Sequence, residues 1–213
     1  MLDSDRLARI TRALRGGYKK SEDSRREVLE AAIATLAKSG IKDTSIQDIA
    51  DAAGMSKGAV HYHFDSKDDL LEKVVSECCA RLEKRITEAF DEPGAPMDRV
   101  RRALVEMWAV RRDMVPEFRV LMDMQVMGRA NHELAKVLGA ALARARRQMI
   151  DVGLSRLCEM GLRPKISLEV VPRLILATLD GLAMHHYVDP VTPQEELELL
   201  RALEATSLAL FEL

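Results

Sequence analysis

What this chain lacks narrows its class before any motif is read. Cysteine occurs three times in 213 residues, as Cys78, Cys79 and Cys158. An odd count with two neighbours makes a poor disulfide framework and fits a reducing cytoplasm, where the protein is expected to work. The adjacent pair would suit a redox sensor, but two small apolar residues on a helix explain it more simply. An excess of one charge is also missing, since 32 basic against 34 acidic residues leave a net charge of -2; nucleic-acid binding would have to come from a local patch. No apolar run approaches membrane-spanning length, and the N-terminus is charged where a signal peptide needs its apolar region, so no membrane partner is expected. Two-residue hydrophobic alternation and internal repeats are absent as well, which argues against sheet and solenoid architectures.

What is present is helical. A hydrophobic share of 47% can supply a core, Ala, Leu, Glu, Arg and Met dominate, and apolar residues recur at three- and four-residue steps. The expected fold is all-α, with a small N-terminal three-helix unit on a larger C-terminal helical bundle. Residues 1–21 read as a basic arm, with Arg6, Arg9, Arg12 and Arg15 three apart and a hinge at Gly16 and Gly17; such an arm either enters a minor groove or is a disordered tail. A first helix is predicted to start at Ser24, boxed with Glu27, and to end at Gly40. A second starts at Thr44, boxed with Gln47, and ends at Gly54. Ser56 caps a third, "KGAVHYHF", and Ser66 with Asp69 caps a long fourth, residues 67–90. "DEPGAP", residues 91–96, is the clearest linker. Further helices are predicted near 97–112, 115–128, 131–160, 167–188 and 194–212.

Two short helices joined by a glycine turn form a helix-turn-helix, here about residues 45–64, whose second helix enters the DNA major groove. On "KGAVHYHF", Val60 and Phe64 recur at helical spacing and face inward, leaving Lys57, Gly58, His61 and Tyr62 outside. Gly58 omits a side chain where a phosphate must come close. Tyr62, His63 and Lys67 suit phosphate contacts that set register; Lys57 and His61, with Gln47, suit base reading. His61 and His63 as metal ligands would need a strand or a further ligand on the same face; no metal site and no cofactor is expected.

The run "TSIQDIADAAGMSKGAVHYHFDSKDDLL" resembles the TetR family of bacterial transcriptional repressors, closely over roughly residues 22–75. It shares a capped helix ending in "IA..AG", a turn of the type "G.SKG", an aromatic and histidine-rich recognition helix and a following "F.SK..L". The resemblance implies DNA contacts at Ser45, Gln47, Lys57, Gly58, His61, Tyr62, His63 and Lys67. Where many members carry "GTLYHYF", this chain has Ala59, Val60 and His61, so a base preference is not carried over. It also implies the division into a DNA-binding domain (22–75) and an effector-binding and dimerisation domain (76–213).

The C-terminal half is rich in adaptable apolar side chains. Met107, Trp108, Phe118, Met122 and Met149 either fill a core between irregular helices or line a pocket; the resemblance implies a pocket for a small, hydrophobic effector. The last two predicted helices are apolar over more of their circumference than one intrachain contact needs, and Ala177, Gly181, Ala183 and Ala205 would permit close helix approach. The resemblance implies that this pair forms a four-helix homodimer interface, which would set two recognition helices on half-sites of a palindromic operator, with the fourth helix as lever between effector and DNA.

Two other classes of function are weighed against this. An enzyme would use His132, His185 or His186 with Glu133, Asp180 or Asp189, yet neither His-Glu-x-x-His nor a nucleophile elbow is present, and no enzyme is expected. An architectural DNA binder would ignore sequence and small molecules. Arg144, Arg146 and Arg147 form a second basic cluster that reads as a solvated helix face.

Overall fold

The computed structural model describes residues 4–159 and 161–212, with side chains from Ser21 onward except that of Pro96. The side chains of the basic arm before Ser21 lie outside the described residues, and the hinge expected at Gly16 and Gly17 is not formed, since the backbone there is part of one continuous helix. The chain divides into two compact units, residues 1–77 and 78–213.

The first unit holds α1 (Ser4–Ser39), α2 (Ile46–Ala52), α3 (Lys57–His63) and the start of α4 (Lys67–Asp91). Val28, Leu29, Ala32, Ile33, Leu36 and Ala37 form the buried stripe of α1, and Ile49 and Ala50 of α2, Val60 of α3, and Leu70 and Val74 of α4 are buried in the same unit. Gly40, at φ 79°, ends α1 in the left-handed conformation that suits glycine. Ser24 does not start a helix. It lies inside α1, which runs on through Gly16 and Gly17, and Asp23 pairs with Arg26 at 3.1 Å one turn on; its hydroxyl turns to the Met55 sulfur at 3.7 Å.

The cap of α2 is also shifted, from Thr44 to Ser45. Thr44 is buried and donates its hydroxyl to the Gly40 carbonyl at 2.7 Å, so it holds the α1–α2 turn. Ser45 Oγ accepts from Asp48 N at 3.2 Å, while the Asp48 carboxylate accepts from Ser45 N at 2.7 Å. The box is Ser45 with Asp48, and Gln47 instead donates to Asp51 at 2.7 Å. α2 stops in a Schellman turn: Gly54 takes φ 66°, Met55 N donates to Ala50 O at 2.9 Å and Gly54 N to Asp51 O at 3.1 Å. Ser56 then caps α3 and Ser66 caps α4.

The second unit comprises the rest of α4, α5 (Pro96–Arg112), α6 (Pro116–Gly128), α7 (His132–Gln148), a π-helical segment (Met149–Leu154), α8 (Ser155–Glu159), α9 (Val171–Val188) and α10 (Pro193–Ala209). The helix expected over 131–160 is thus interrupted by a widened turn. α9 starts later than 167, which puts Pro172 in its first turn, where no partner is needed for a missing N–H. α10 stops before 212 because Phe211–Glu212 pairs antiparallel with Arg163–Pro164. This two-residue strand pair carries no alternation for a sequence pattern to show.

Trp108, Met107, Phe118, Leu157, Leu179 and Phe211 lie in the second unit's core. Its polar groups are committed. Trp108 Nε1 donates to Glu196 at 2.7 Å, Arg112 also pairs with Glu196, and the buried Arg111 donates to Asp180 at 2.7 Å and to the Met107 carbonyl at 2.8 Å. No helix among the described residues is long and apolar enough to cross a membrane.

Candidate functional site

In the first unit, Ser45, Gln47, Lys57, His61 and Lys67 line one shallow groove together with Lys42. Its lining comes from the α1–α2 turn, the start of α2, α3 and the first residue of α4. Lys57 and His61 have no hydrogen-bond or ion-pair partner among the described residues. Tyr62 is 79% exposed and stands outside the groove, edge-on to the half-buried His63 at 5.1 Å between ring centroids. Gly58 is exposed, and a Cβ built there would meet nothing nearer than Ser56 Oγ at 3.8 Å; the protein's own packing does not require glycine. Val60 and Phe64 are fully buried, with Arg25 5.5 Å from the Phe64 ring centroid. Because α3 is helical, His61 and His63 project about 200° apart.

Lys67 has a structural duty that spacing alone does not reveal. Its ammonium donates to the carbonyls of Ile41 at 2.8 Å and Thr44 at 2.6 Å, tying the start of α4 to the α1–α2 turn. An ammonium has three donors, so one is left over. The two hydrogen bonds of the cap hold the exposed Asp48 carboxyl below its usual range, first through Ser45 N and then through Ser45 Oγ. It therefore stays ionised and keeps the cap closed at neutral pH.

The second unit contains a cavity of about 130 Å³. Its walls come from α4 (Ile86, Phe90), α5 (Leu104, Met107), the π-helical segment (Met149, Val152, Gly153, Leu154) and α9 (Ile175). Met107 and Met149 line it; Trp108, Phe118 and Met122 are core residues outside its lining. Phe90 is braced by two guanidinium groups, Arg99 at 4.6 Å and Arg156 at 5.2 Å from the ring centroid. The polar wall, which the residue pattern did not reveal, is Glu83, Thr87 and Gln148, with Gln148 Nε2 donating to Thr87 Oγ1 at 3.0 Å. Its signal was a glutamate on the stripe otherwise formed by Cys79, Ile86 and Phe90. Burial pushes the Glu83 carboxyl up, partly offset by the Arg144 charge. Burial, reinforced by Glu83, also pushes the Cys79 thiol up to about 11, so it stays protonated and unreactive at neutral pH.

On α9, Ala177 and Gly181 are exposed, as is Ala205 on α10, whereas Ala183 faces its own unit's core at 3% exposure. Of the residues an enzyme would need, Asp180 is held by Arg111 and His186 Nδ1 accepts from Val191 N at 3.1 Å.

A capped helix-turn-helix in one unit and a cavity-bearing helical bundle in the other define the helix-turn-helix regulator architecture. Over residues 28–74 the chain matches the model of the bacterial regulatory proteins, tetR family. It is 33% identical over 76 residues to the HTH-type transcriptional repressor KstR2 of Mycolicibacterium smegmatis, a match covering 36% of this chain and 37% of that protein. It is 24% identical over 171 residues to the HTH-type transcriptional regulator PksA of Bacillus subtilis, covering 80% and 82%. A TetR family transcription regulator from Marinobacter aquaeolei VT8 has the same fold, with a TM-score of 0.67 at 15% identity over 91% of this chain and 98% of that one.

Proposed function

We propose that this chain is a homodimeric, ligand-responsive transcriptional repressor that binds a palindromic operator through α3 and the start of α2, and releases it when a small apolar effector enters the second unit's cavity. The observation that carries the reading is the groove gathering Ser45, Gln47, Lys57, His61 and Lys67, with Tyr62 exposed beside it. Lys57 and His61 are the uncommitted side chains that suit base edges; Tyr62, His63, the spare Lys67 donor and the bare Gly58 suit phosphates. The names of KstR2, a repressor, and PksA, a regulator, support the same class, and no catalytic role is proposed for the chain.

Dimerisation is supported by the exposed stripe of Leu174, Ala177, Gly181, Met184 and Val188 on α9, with Leu197 on α10. The residues recur every three or four positions, and a Cβ at Gly181 would meet nothing within its own chain, which leaves room for a second helix. Ala183 has no part in it. One short recognition helix alone would bind weakly, so a dimer is what makes the operator specific.

The test is affinity for the DNA flanking the protein's own gene, measured across salt concentrations and protein mass in solution. Replacing Lys57 with Met should lower the slope of log affinity against log salt by about one unit or relax one operator position. An unaltered slope together with unaltered base preference would remove Lys57 from the interface. A monomer that still binds the operator tightly would overturn the dimer.

A further inference from the structure

The polar wall of the second unit's cavity specifies a charge as well as a size. Glu83, Thr87 and Gln148 line both the apolar cavity and an outer groove with Lys84, Glu88 and Asp91. These three residues therefore form the neck between an apolar chamber and water. Thr87 and Gln148 are bonded to each other. The other charges of the groove are matched: Lys84 lies 3.8 Å from Glu88, Arg99 lies 3.0 Å from Asp91, and Arg102 lies 3.5 Å from Glu92. Glu83 differs from all of them, making no hydrogen bond or ion pair among the described residues. Arg144 is near enough to favour its ionised form, but lines neither the cavity nor the groove.

A half-buried carboxylate that faces an apolar chamber and has a cation nearby but none in hydrogen-bond contact is completed by a donor that carries positive charge. The chamber, about 130 Å³, is near the roughly 150 Å³ that accommodates benzene in an apolar protein cavity. We propose that the ligand of this cavity is a lipophilic cation, with an apolar group about the size of an aromatic ring in the chamber and a protonated amine on Glu83. This deepens the effector reading above and rests on it. An anionic head group is disfavoured at the neck, since it would meet Glu83 while Lys84, the one cation among the described residues that line the groove, is already beside Glu88.

Three probes of one shape and different charge test it on the full-length protein without DNA, by calorimetry: phenylbutylamine, phenylbutanol and phenylbutyrate. The amine should bind at least about tenfold more tightly than the acid, the size expected of a charge-assisted hydrogen bond. Glu83→Gln should remove that preference, and Ala145→Leu, which fills the chamber, should weaken all three. Equal or tighter binding of phenylbutyrate by the wild type overturns the proposal, as does binding of none of them. If Glu83→Gln does not fold, the order among the probes in the wild type decides alone. Operator affinity, measured separately on the same protein, distinguishes this failure from failure of the regulator reading: a chain that binds its operator but prefers the acid remains a regulator with a different ligand.

Discussion

The groove of the first unit and the cavity of the second can be compared by which polar groups each leaves unused. In the first unit the capping serines and Thr44 are committed to the backbone, as is most of Lys67. What remains uncommitted, Lys57, His61 and Tyr62, points outward. In the second unit the large charged residues of the interior are matched, with Arg111 on Asp180 and Arg112 on Glu196, and the uncommitted group, Glu83, faces inward at the cavity neck. In both units the residues proposed for recognition include side chains that the fold itself does not employ. The direction they face differs, outward in the first unit and toward the cavity in the second.

The comparison breaks most severely where a core residue carries the recognition helix. Phe64→Ala empties a site that is 2% exposed and should cost about 3–5 kcal/mol; denaturant unfolding should show the loss, with operator binding lost in parallel. Lys67 is next, because it ties the start of α4 to the α1–α2 turn and is also proposed to contact phosphate. Lys67→Met strips two carbonyls of a charged donor, and a loss of about 1.5–3 kcal/mol is expected in the same measurement, whereas Lys57→Met should leave the unfolding midpoint in place. If the two lysines instead behave alike in stability, the division between committed and spare groups fails. Ser45→Ala removes one cap and should cost about 1 kcal/mol, visible as a small fall in the midpoint. Smallest in stability is Tyr62→Ala, expected within about 0.5 kcal/mol, although it should weaken binding to all DNA sequences similarly; a change in base preference at one operator position would make Tyr62 a base reader.

The helix-turn-helix of the first unit was largely legible in the sequence because α2 and α3 are short and carry their own punctuation, whereas the start of α1 was not, since Ser24 and Glu27 fit a capping pattern inside one continuous helix. Gly40, Gly54, Ser56 and Ser66 mark boundaries by local chemistry, and Val60 and Phe64 fall inward by spacing alone. The Thr44 misreading has a local cause as well: two adjacent hydroxyl residues both satisfy a capping pattern, and only burial of Thr44 against the Gly40 carbonyl separates them. The duty of Lys67 was not legible, since its partners are backbone carbonyls more than twenty positions away. In the second unit the helices were visible and the cavity was not. Met107 and Met149 line it while Trp108, Phe118 and Met122 do not, and nothing in composition distinguishes a methionine in a wall from one in a core. Ala183 shows the same limit, one small residue among several on α9 that happens to face inward.

The π-helical segment of residues 149–154 gives the second unit a property that substitution alone does not reach. Each of its bonds spans one residue more than an α-helical turn, so the segment acts as a phase shift of about 100° per extra residue between α7 and α8. A single-codon deletion within it would restore the phase, swing Leu157 away from the core that buries it, and withdraw Gly153 and Leu154 from the cavity wall. The dimensions of the cavity are therefore written partly in the count of residues, and insertion or deletion at this point offers evolution a coarse adjustment of its size that leaves the first unit's sequence untouched.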